Sequence, residues 1–353
     1  MEILEKIKEE ARNAPQHIVL FEGEDERVLA AAEAIEREDL AHLTLLGNPH
    51  RIHSILRTAR LRLREAEIID PETSPLLNDY ADRLFVRRAG RGMTPSRAMA
   101  AVQQPACFAG MMVDAGAADG VVGGASTTTA DTTRAMLLSI GKSAEAPLVS
   151  SFHLMVSPCR HLGSDGAFLF ADCAVVPSPS SAQLADIALS TVANARRLLS
   201  SPLRVAMLSF STLGSARHRR VEVVREATTI VSATDPSLNV DGEIQLDAAI
   251  VPAVARRKAP FSTLDGRANV LIFPDLEAGN IGYKMAERLG GCAAVGPIYL
   301  GLAHPASDLS RGCERQDVVH TVALTALEAI RMKNQAMPRL VDRRSVTDSS
   351  LAV

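Results

Sequence analysis

The chain has 353 residues, of which 47% are hydrophobic and 22% charged, and its formal net charge is −3. This composition is typical of a globular protein with a substantial core, and it argues against a whole-protein attraction to nucleic acid. No run approaches the roughly 20 apolar residues of a membrane span, and the charged N-terminus lacks the apolar centre of a secretory signal, so we expect a cytoplasmic protein.

Short apolar runs alternate with longer segments of helical periodicity, beginning with a helical pattern at 1–15. The apolar runs predict strands at 17–20, 42–46, 66–69, 120–122, 148–155, 168–175, 205–210 and 270–273. The periodic segments predict helices at 25–35, 51–63, 76–86, 129–140, 181–199, 217–231, 282–289 and 316–332. Alternation of this kind predicts an α/β fold with mostly parallel sheets.

Two places where the character of the sequence changes suggest a division into two lobes. They are the loop 142–147 (KSAEAP) and the region of Pro297. We therefore expect a first lobe from 1–145 plus 297–336 and a second lobe from 146–296. The polar residues 337–353 are expected to form a fraying tail.

Several familiar motifs are missing from the sequence. The first strand ends in Phe21-Glu22-Gly23 rather than in a dinucleotide-binding glycine fingerprint, and Gly141-Lys142-Ser143 lacks the earlier glycine of a phosphate-binding loop. The five cysteines form no CxxC pair and the histidines no HxxxH pair. We expect buried free thiols and neither a metal site nor a disulfide framework.

The segment DLSRGCERQD (308–317) carries the strongest chemical signal. A loop of small residues leads into a long amphipathic helix, whose first N–H groups and dipole favour an anion. Arg311 adds a planar fork that matches phosphate, Ser310 adds a hydroxyl, and Asp317 lies two helical turns further on. The same residues also fit an ordinary helix start, with Ser310 as the N-cap and Asp317 as a first-turn acid.

Two other segments are candidates for anion binding. DGVVGGA (119–125), followed by TADTTR (129–134), reads as a strand, a glycine turn and a capped helix, in which the glycines would let a ligand approach the backbone. Arg134 lies early in that helix, where a cation is unfavourable unless an anion is near. The run RRAGRG (87–92) contains three arginines, although a basic helix end explains it equally well.

Taken together, these segments resemble the phosphotransacetylase family over nearly the whole chain. The resemblance rests on the order and spacing of nine strings: GMMVDAGAADGVVGGA (110–125), TADTTRA (129–135), SSFHLM (150–155), FADCAVVPSP (170–179), VAMLSFST (205–212), DGEIQLDAA (241–249), FPDLEAGNIGYKMAERLGG (273–291), GPIYLGL (296–302) and DLSRGC (308–313). The sequence departs from the family at Leu213, where many members carry lysine.

The resemblance implies two α/β lobes with a cleft between them, similar in fold to isocitrate and isopropylmalate dehydrogenases, and a homodimer. It implies phosphate acetyltransferase activity, with coenzyme A and acetyl phosphate as substrates and no bound cofactor. By motif, it assigns substrate binding to Ser310, Arg311, Arg134 and Arg88, and it makes Asp317 the base. Arg88 is placed by counting back four residues from Gly92.

On this reading, Asp317 takes the proton of the coenzyme A thiol as the sulfur attacks acetyl phosphate, a task for which a carboxylate needs a raised pKa. Ser310 holds the sulfur or stabilises the carbonyl oxygen, and Arg311 with Arg134 or Arg88 binds the phosphate. Cys313 is interpreted as a packed thiol.

Three alternatives stay open at this stage. The first is a transferase for propionyl or butyryl groups, and the second is a catalytically silent relative that binds coenzyme A. The third, a dehydrogenase of similar fold, ranks last because the metal-binding acids of those enzymes are missing.

Overall fold

One sheet of eleven strands runs through the computed structural model, which describes residues 2–345 and the side chains of residues 2–334. Its strands are β1 (Gln16–Leu20), β2 (Ala41–Leu46), β3 (Glu67–Ile69), β4 (Gly120–Gly123), β5 (Ser150–Val156), β6 (Ala167–Ala171), β7 (Arg204–Leu208), β8 (Asn239–Ile244), β9 (Val270–Ile272), β10 (Ala293–Leu300) and β11 (Ala306–Asp308). They lie in the order β3-β2-β1-β4-β11-β10-β5-β6-β9-β7-β8.

The sheet has two parallel halves joined by an antiparallel centre. Strands β3, β2, β1, β4 and β11 are mutually parallel, and so are β6, β9, β7 and β8. Between them, β10 pairs antiparallel with both β11 and β5, and β5 pairs antiparallel with β6. The predicted α/β class with mostly parallel pairing is confirmed.

Helices cover the faces of this sheet and bury its apolar side chains. They are α1 (Glu2–Asn13), α2 (Glu26–Arg37), α3 (Pro49–Ala59), α4 (Leu77–Arg88), α5 (Pro95–Val102), α6 (Pro105–Asp114), α7 (Thr129–Ser139), α8 (Ser181–Leu198), α9 (Arg219–Thr234), α10 (Leu246–Ile250), α11 (Pro252–Lys258), α12 (Leu276–Arg288) and α13 (Arg315–Ser345), with a 3₁₀ turn at Ala89–Arg91. None of those in the described part of the chain combines the length and the apolar character of a membrane-spanning helix.

Local sequence explains why several of these helices start where they do. Asp25 accepts a hydrogen bond from the Arg27 N–H and caps α2, and Thr128 does the same for α7 through the Asp131 N–H. Helix α8 begins with a reciprocal capping box between Ser180 and Gln183. Such caps satisfy the free N–H groups of the first turn.

The core of the first half lies on both faces of the sheet. Side chains of α1, α2 and α13 form one layer, including the fully buried Leu29, Ile35 and Val322. Helices α4 to α7 form the opposite layer, in which the rings of Tyr80 and Phe108 meet edge to face at 5.2 Å. The sheet is therefore covered on both faces, as parallel sheets require.

The structure also corrects the predicted elements. Strands β8, β10 and β11 and helices α5, α6, α10 and α11 were not predicted, and α13 continues from Arg315 to Ser345, beyond the predicted end at residue 332. Helix α13 thus includes 337–345 of the predicted tail, whereas residues 346–353 lie outside the described part of the chain. The expected lobe boundary at 296/297 falls within β10.

Candidate active site

The loop that carries Ser310 and Arg311 lies where three neighbouring strands end. Strand β4 pairs with β1 through Val122 and Leu20, and with β11 through Gly123 and Asp308. The segments that follow these strands therefore emerge side by side at the carboxyl edge of the sheet. This edge is where open α/β sheets bind ligands.

A carboxylate of the protein itself fills the glycine loop after β4. Glu22 accepts hydrogen bonds from the backbone N–H groups of four consecutive residues at 2.6–2.9 Å, and from two of their hydroxyls at 2.8 Å; the donors are Gly124, Ala125, Ser126 and Thr127. Since Glu22 is buried, these donors are already satisfied. The backbone N–H groups of residues 124–127 are therefore not available to a ligand, contrary to the approach expected at the glycines of this loop.

Glycine is required at position 124 for packing rather than for ligand binding. Its φ is +112°, and a Cβ atom there would overlap the carboxylate of Asp308, which is fully buried at the end of β11. Gly124 thus permits close packing of the β4 loop against β11. Burial raises the pKa of Asp308 to about 7, against the opposing effect of the Thr129 and Thr132 hydroxyls.

Ser310 and Arg311 lie in a loop, and α13 begins after them. The Ser310 carbonyl accepts a hydrogen bond from the Cys313 N–H at 2.8 Å, and the Ser310 hydroxyl accepts one from the Gly312 N–H at 3.3 Å. Because α13 begins at Arg315, Ser310 is not its N-cap, and the helical spacing inferred between Ser310 and Asp317 is wrong. The half-buried Ser310 and the exposed Arg311 instead precede the helix in an irregular turn.

Asp317 caps the start of α13 from inside the helix. Its Oδ2 accepts a hydrogen bond from the Glu314 N–H at 2.8 Å, so its carboxylate points back towards the loop. Burial raises the pKa of Asp317; the Glu314 charge adds to this effect, whereas the Glu314 N–H bond and the Arg288 cation oppose it. A raised pKa brings a carboxylate closer to the range in which it works as a base.

Two residues of α12, missed in the sequence, also lie at this loop. The Arg288 guanidinium donates a hydrogen bond of 3.0 Å to the Gly312 carbonyl and is 3.4 Å from the Glu287 carboxylate. Burial raises the pKa of Glu287, and the nearby charge of Asp317 adds to the shift. Both residues come from a segment remote in sequence, so no local spacing could have linked them to Asp317.

Arg311 is the cation of this loop, and its side chain has no polar contact within residues 2–334. Its guanidinium makes no hydrogen bond or ion pair with any of residues 2–334, although its backbone carbonyl accepts one from Arg27. A guanidinium fork in this condition can bind an anion without first breaking an internal contact.

Arg134 lies apart from this loop, on α7. It forms an ion pair with Asp131, which supplies the nearby anion that its early position in the helix needs. Its side chain is exposed and lines a cavity of about 750 Å³ in the first half of the molecule. The cavity wall also includes Glu22, Asp25, Gln104, Cys107, Ser126, Thr127 and Leu138.

Arg88 lies near the other end of the same helix. Its guanidinium donates to the carbonyl oxygens of Leu137 and Leu138, so it caps the C-terminus of α7. Burial lowers the pKa of Arg88, and the neighbouring Arg87 and Arg91 add to this effect. The structure thus brings Ser310, Arg311 and Asp317 to one loop and helix start, whereas Arg134 lies on α7 and Arg88, at the end of α4, binds the C-terminus of α7.

A second cavity, of about 840 Å³, separates α7 from α12 and is called here the inter-lobe cavity. Its walls are formed by Thr129, Ala130 and Thr133 on one side and by Ala174, Val175, Pro177, Ser178, Arg220, Asp275, Leu276, Glu277, Asn280 and Ile281 on the other. Helix α12 lines this cavity with its first turns and reaches the Gly312 loop with its last turn, about 15 Å further along.

The cysteine at this site is a packed thiol. Cys313 is buried, and burial raises the pKa of its thiol to about 11, so it is protonated at neutral pH. Cys107 and Cys173 are also buried, whereas Cys292 is half-buried and Cys159 is exposed, contrary to the expectation for all five. Among the described residues, no group of three or more His, Cys, Asp or Glu side chains is arranged to hold a metal ion.

Comparison with known proteins gives extensive matches. The model of the phosphate acetyl/butaryl transferase family matches residues 2–326. The phosphate acetyltransferase of Paracoccus denitrificans is 48% identical over 328 residues, which are 93% of this chain and 99% of that protein. That of Clostridium acetobutylicum is 45% identical over 331 residues, 94% of this chain and 99% of that protein.

The fold gives the same result. The solved structure of a phosphotransacetylase from Streptococcus pyogenes superposes with a TM-score of 0.84 at 37% identity, covering 94% of this chain and 98% of that one. These matches span both halves of the sheet and agree with the resemblance found in the sequence.

Proposed function

Because the chain belongs to the phosphate acetyl/butaryl transferase family, we propose that Ser310, Arg311 and Asp317 perform its acyl transfer at the start of α13. The predicted enzyme class, an acyltransferase, and the predicted activity, phosphate acetyltransferase, are confirmed by the relatives that carry this name. The reaction is acetyl-CoA + phosphate = CoA + acetyl phosphate. The observation that carries the residue assignment is the Arg311 fork, which has no polar partner among residues 2–334, on the loop that leads directly to Asp317, a carboxylate with a raised pKa.

The proposed step proceeds without a covalent enzyme intermediate. The sulfur of coenzyme A attacks the carbonyl carbon of acetyl phosphate, a C–S bond forms, and the C–O bond to phosphate breaks with its electron pair on the leaving oxygen. Asp317 accepts the thiol proton, because the thiolate and not the thiol is the nucleophile. The Ser310 hydroxyl stabilises the negative charge on the carbonyl oxygen, and Arg311 binds the departing phosphate.

We assign Arg134 and Arg88 to coenzyme A, whose phosphate groups need cations. The exposed position of Arg134 on the wall of a 750 Å³ cavity supports this role. Arg88 supports it less directly, because its Nε and Nη2 atoms already bind the end of α7. A phosphate of the ligand would therefore have to meet the remaining Nη1 group.

We propose further that the lobes comprise 1–145 plus 297–336 and 146–296, with substrates bound in the cleft between them. A homodimer in the cytoplasm is proposed as its working form. The exposed apolar side chains of Ile281 and Met285 on α12 and of its C-cap residue Leu289, which are spaced by four residues, support a self-association surface.

The test is formation of the thioester from acetyl phosphate and coenzyme A, followed by its ultraviolet absorbance, with and without a chelator. Propionyl and butyryl phosphate are compared at equal concentration. A highest kcat/KM for acetyl phosphate supports the assignment, and a higher value for a longer acyl group would replace it with that substrate. A folded protein without turnover on any of the three would overturn the activity in favour of a silent coenzyme A-binding protein.

A further inference from the structure

The Arg27 side chain uses every hydrogen it can donate. Its Nε and Nη2 atoms hold the Asp25 carboxylate at 3.0 and 2.7 Å, and Nη2 also donates to the Ala125 carbonyl at 2.6 Å. Its Nη1 atom donates to the carbonyls of Arg311 and Cys313 at 2.8 and 3.1 Å. All five N–H groups of the guanidinium therefore have one acceptor each.

These five bonds connect three segments that are remote in sequence. Arg27 lies in the first turn of α2 after β1, Ala125 belongs to the loop after β4, and the other two carbonyls belong to the loop after β11. Arg27 and Arg311 are separated by 284 residues. The loop that carries Ser310 and Arg311 is thus attached to the sheet edge through a side chain of the first lobe.

We propose that Arg27 is a positioning residue for the acyl transfer, because its guanidinium fixes the backbone of the Ser310–Cys313 loop. In this loop it contacts only carbonyl oxygens, so the proton of the Ser310 hydroxyl and the Arg311 fork remain available to the substrate. The inference rests on the proposed function of these two residues.

The neighbours of Arg27 fix its orientation. Asp25 is held in place because it accepts a hydrogen bond of 2.9 Å from the backbone N–H of Arg27. Its two carboxylate oxygens also accept from the guanidinium, and this bidentate geometry fixes the plane of the fork. The hydrogen bonds that Arg27 donates to the Asp25 carboxylate are the main reason that the pKa of Arg27 is raised, so its charge is permanent. A lysine at this position would keep the charge but could not match five acceptors in one plane.

The effect of losing these bonds is predictable in kind and in size. Displacement of a catalytic group by about 1 Å costs on the order of 100-fold in rate. We expect Arg27→Ala to lower kcat/KM for acetyl phosphate by about that factor, with the KM for coenzyme A changed less than about threefold, because Arg134 and Arg88 lie on other helices, α7 and α4, that Arg27 does not contact. Arg27→Lys is expected to lose at least about tenfold.

The experiment measures both kinetic constants for each substrate, together with the melting temperature, in Arg27→Ala, Arg27→Lys and Arg51→Ala. Arg51 is the matched control, since it also pairs with a carboxylate of the turn after β1, Glu24 at 3.2 Å, but contacts neither site loop. The Arg27→Ala protein is also assayed with guanidinium ion and with methylammonium ion. Recovery of kcat with guanidinium alone, at an unchanged melting temperature, is the expected result.

A value of kcat/KM within threefold of wild type in Arg27→Lys would overturn the proposal. A loss of kcat/KM in Arg27→Ala no larger than the loss in Arg51→Ala would overturn it as well. If Arg27→Ala does not fold, the folded Arg27→Lys variant decides alone by the same criterion. Arg311→Ala is measured alongside. If Arg311→Ala is fully active, the proposed function of the loop fails; if only the Arg27 variants are fully active, the positioning role alone fails.

Discussion

The Arg288 guanidinium, on the last turn of α12, donates a hydrogen bond of 3.0 Å to the carbonyl oxygen of Gly312. Helix α12 follows β9, and Gly312 follows β11, and these strands belong to different halves of the sheet. This bond therefore connects the two halves at the loop that carries Ser310 and Arg311. Arg288 also opposes the upward shift of the Asp317 pKa, whereas Glu314 adds to it. The protonation of the proposed base therefore depends on how α12 meets the loop.

The first prediction concerns the pH dependence of kcat/KM. Asp317 must be ionised to act as a base, so activity is lost as the pH falls through its pKa. Removing the Arg288 cation raises this pKa, and Arg288→Met should move the acid limb of the profile to higher pH. Removing the Glu314 charge lowers the pKa, and Glu314→Gln should move the limb to lower pH while its backbone N–H bond to Asp317 stays in place.

Profiles of kcat/KM from pH 5 to 9 check this pair, with Lys284→Met as the control. Lys284 lies on the same helix but does not act on the pKa of Asp317. Shifts of the two variants in the same direction would contradict the assignment of the limb to Asp317.

The second prediction concerns Asp317 itself. Replacement by asparagine keeps the size of the side chain and an acceptor for the Glu314 N–H, but removes the base. We expect Asp317→Asn to lower kcat by about 10²–10⁴-fold, the usual contribution of general base catalysis, with KM values changed little. Steady-state kinetics at neutral pH measures this, and retention of the wild-type kcat would remove Asp317 from the mechanism.

The third prediction concerns the geometry of Arg311. A lysine keeps the charge but loses the planar fork, so Arg311→Lys should raise the KM for acetyl phosphate and lower kcat. Arg315→Lys is the matched control, because Arg315 is an exposed arginine four residues further along whose side chain makes no hydrogen bond or ion pair with other residues of 2–334. Equal kinetics in the two variants would mean that Arg311 serves only as a surface charge.

The limits of the sequence-based prediction are visible in particular elements. Helices α2, α7 and α8 were located within two residues, because their caps and apolar spacing are local properties. Strand β10 was missed because Gly296-Pro297 interrupts it, a pair that normally signals a turn. Strand β11 has only three residues, too few for an alternation to be recognised.

The residues of the candidate site also fall into those that a local motif predicts and those that only the fold reveals. Ser310, Arg311 and Asp317 lie within eight residues of each other, so one local motif was sufficient to nominate them. Their partners Arg27 and Arg288 come from α2 and α12, and only the strand order brings these helices to the loop. The signal for Glu22 was present in the sequence as an acid directly after a buried strand, but it gave no indication of which loop the acid would fill.

The fourth prediction concerns the contribution of Glu22 to the free energy of unfolding. Glu22→Gln replaces an acceptor of six hydrogen bonds by an amide whose NH₂ group faces donors. Leaving buried donors unpaired should lower the free energy of unfolding by about 2–4 kcal/mol. Urea denaturation measures this, and Glu24→Gln, at a more exposed carboxylate two residues away, should lose less than about 1 kcal/mol. Equal losses would show that the β4 loop does not depend on Glu22.

The fifth prediction is a pH dependence of stability that arises from His153. This side chain is buried on β5 and stacks on the Tyr283 ring at 4.2 Å, and burial lowers its pKa to about 3, with Lys284 adding to the effect. In the unfolded chain the same imidazole has a pKa near 6.5, so between these values only the unfolded state binds the proton. The stabilising effect of the neutral ring is therefore complete above about pH 6.5 and is lost as the pH falls towards 3.

One proton taken up on unfolding corresponds to a slope of about 1.4 kcal/mol per pH unit. We expect His153→Phe, which keeps a ring against Tyr283, to reduce the slope of unfolding free energy against pH by about this amount between pH 4 and 6. The exposed His161→Gln should leave the slope unchanged, because its imidazole already meets solvent in the folded chain. Urea denaturation at intervals of half a pH unit measures both slopes. An unchanged slope in His153→Phe would mean that the ring takes up its proton without unfolding, and thus that β5 opens to water at this position in the native state.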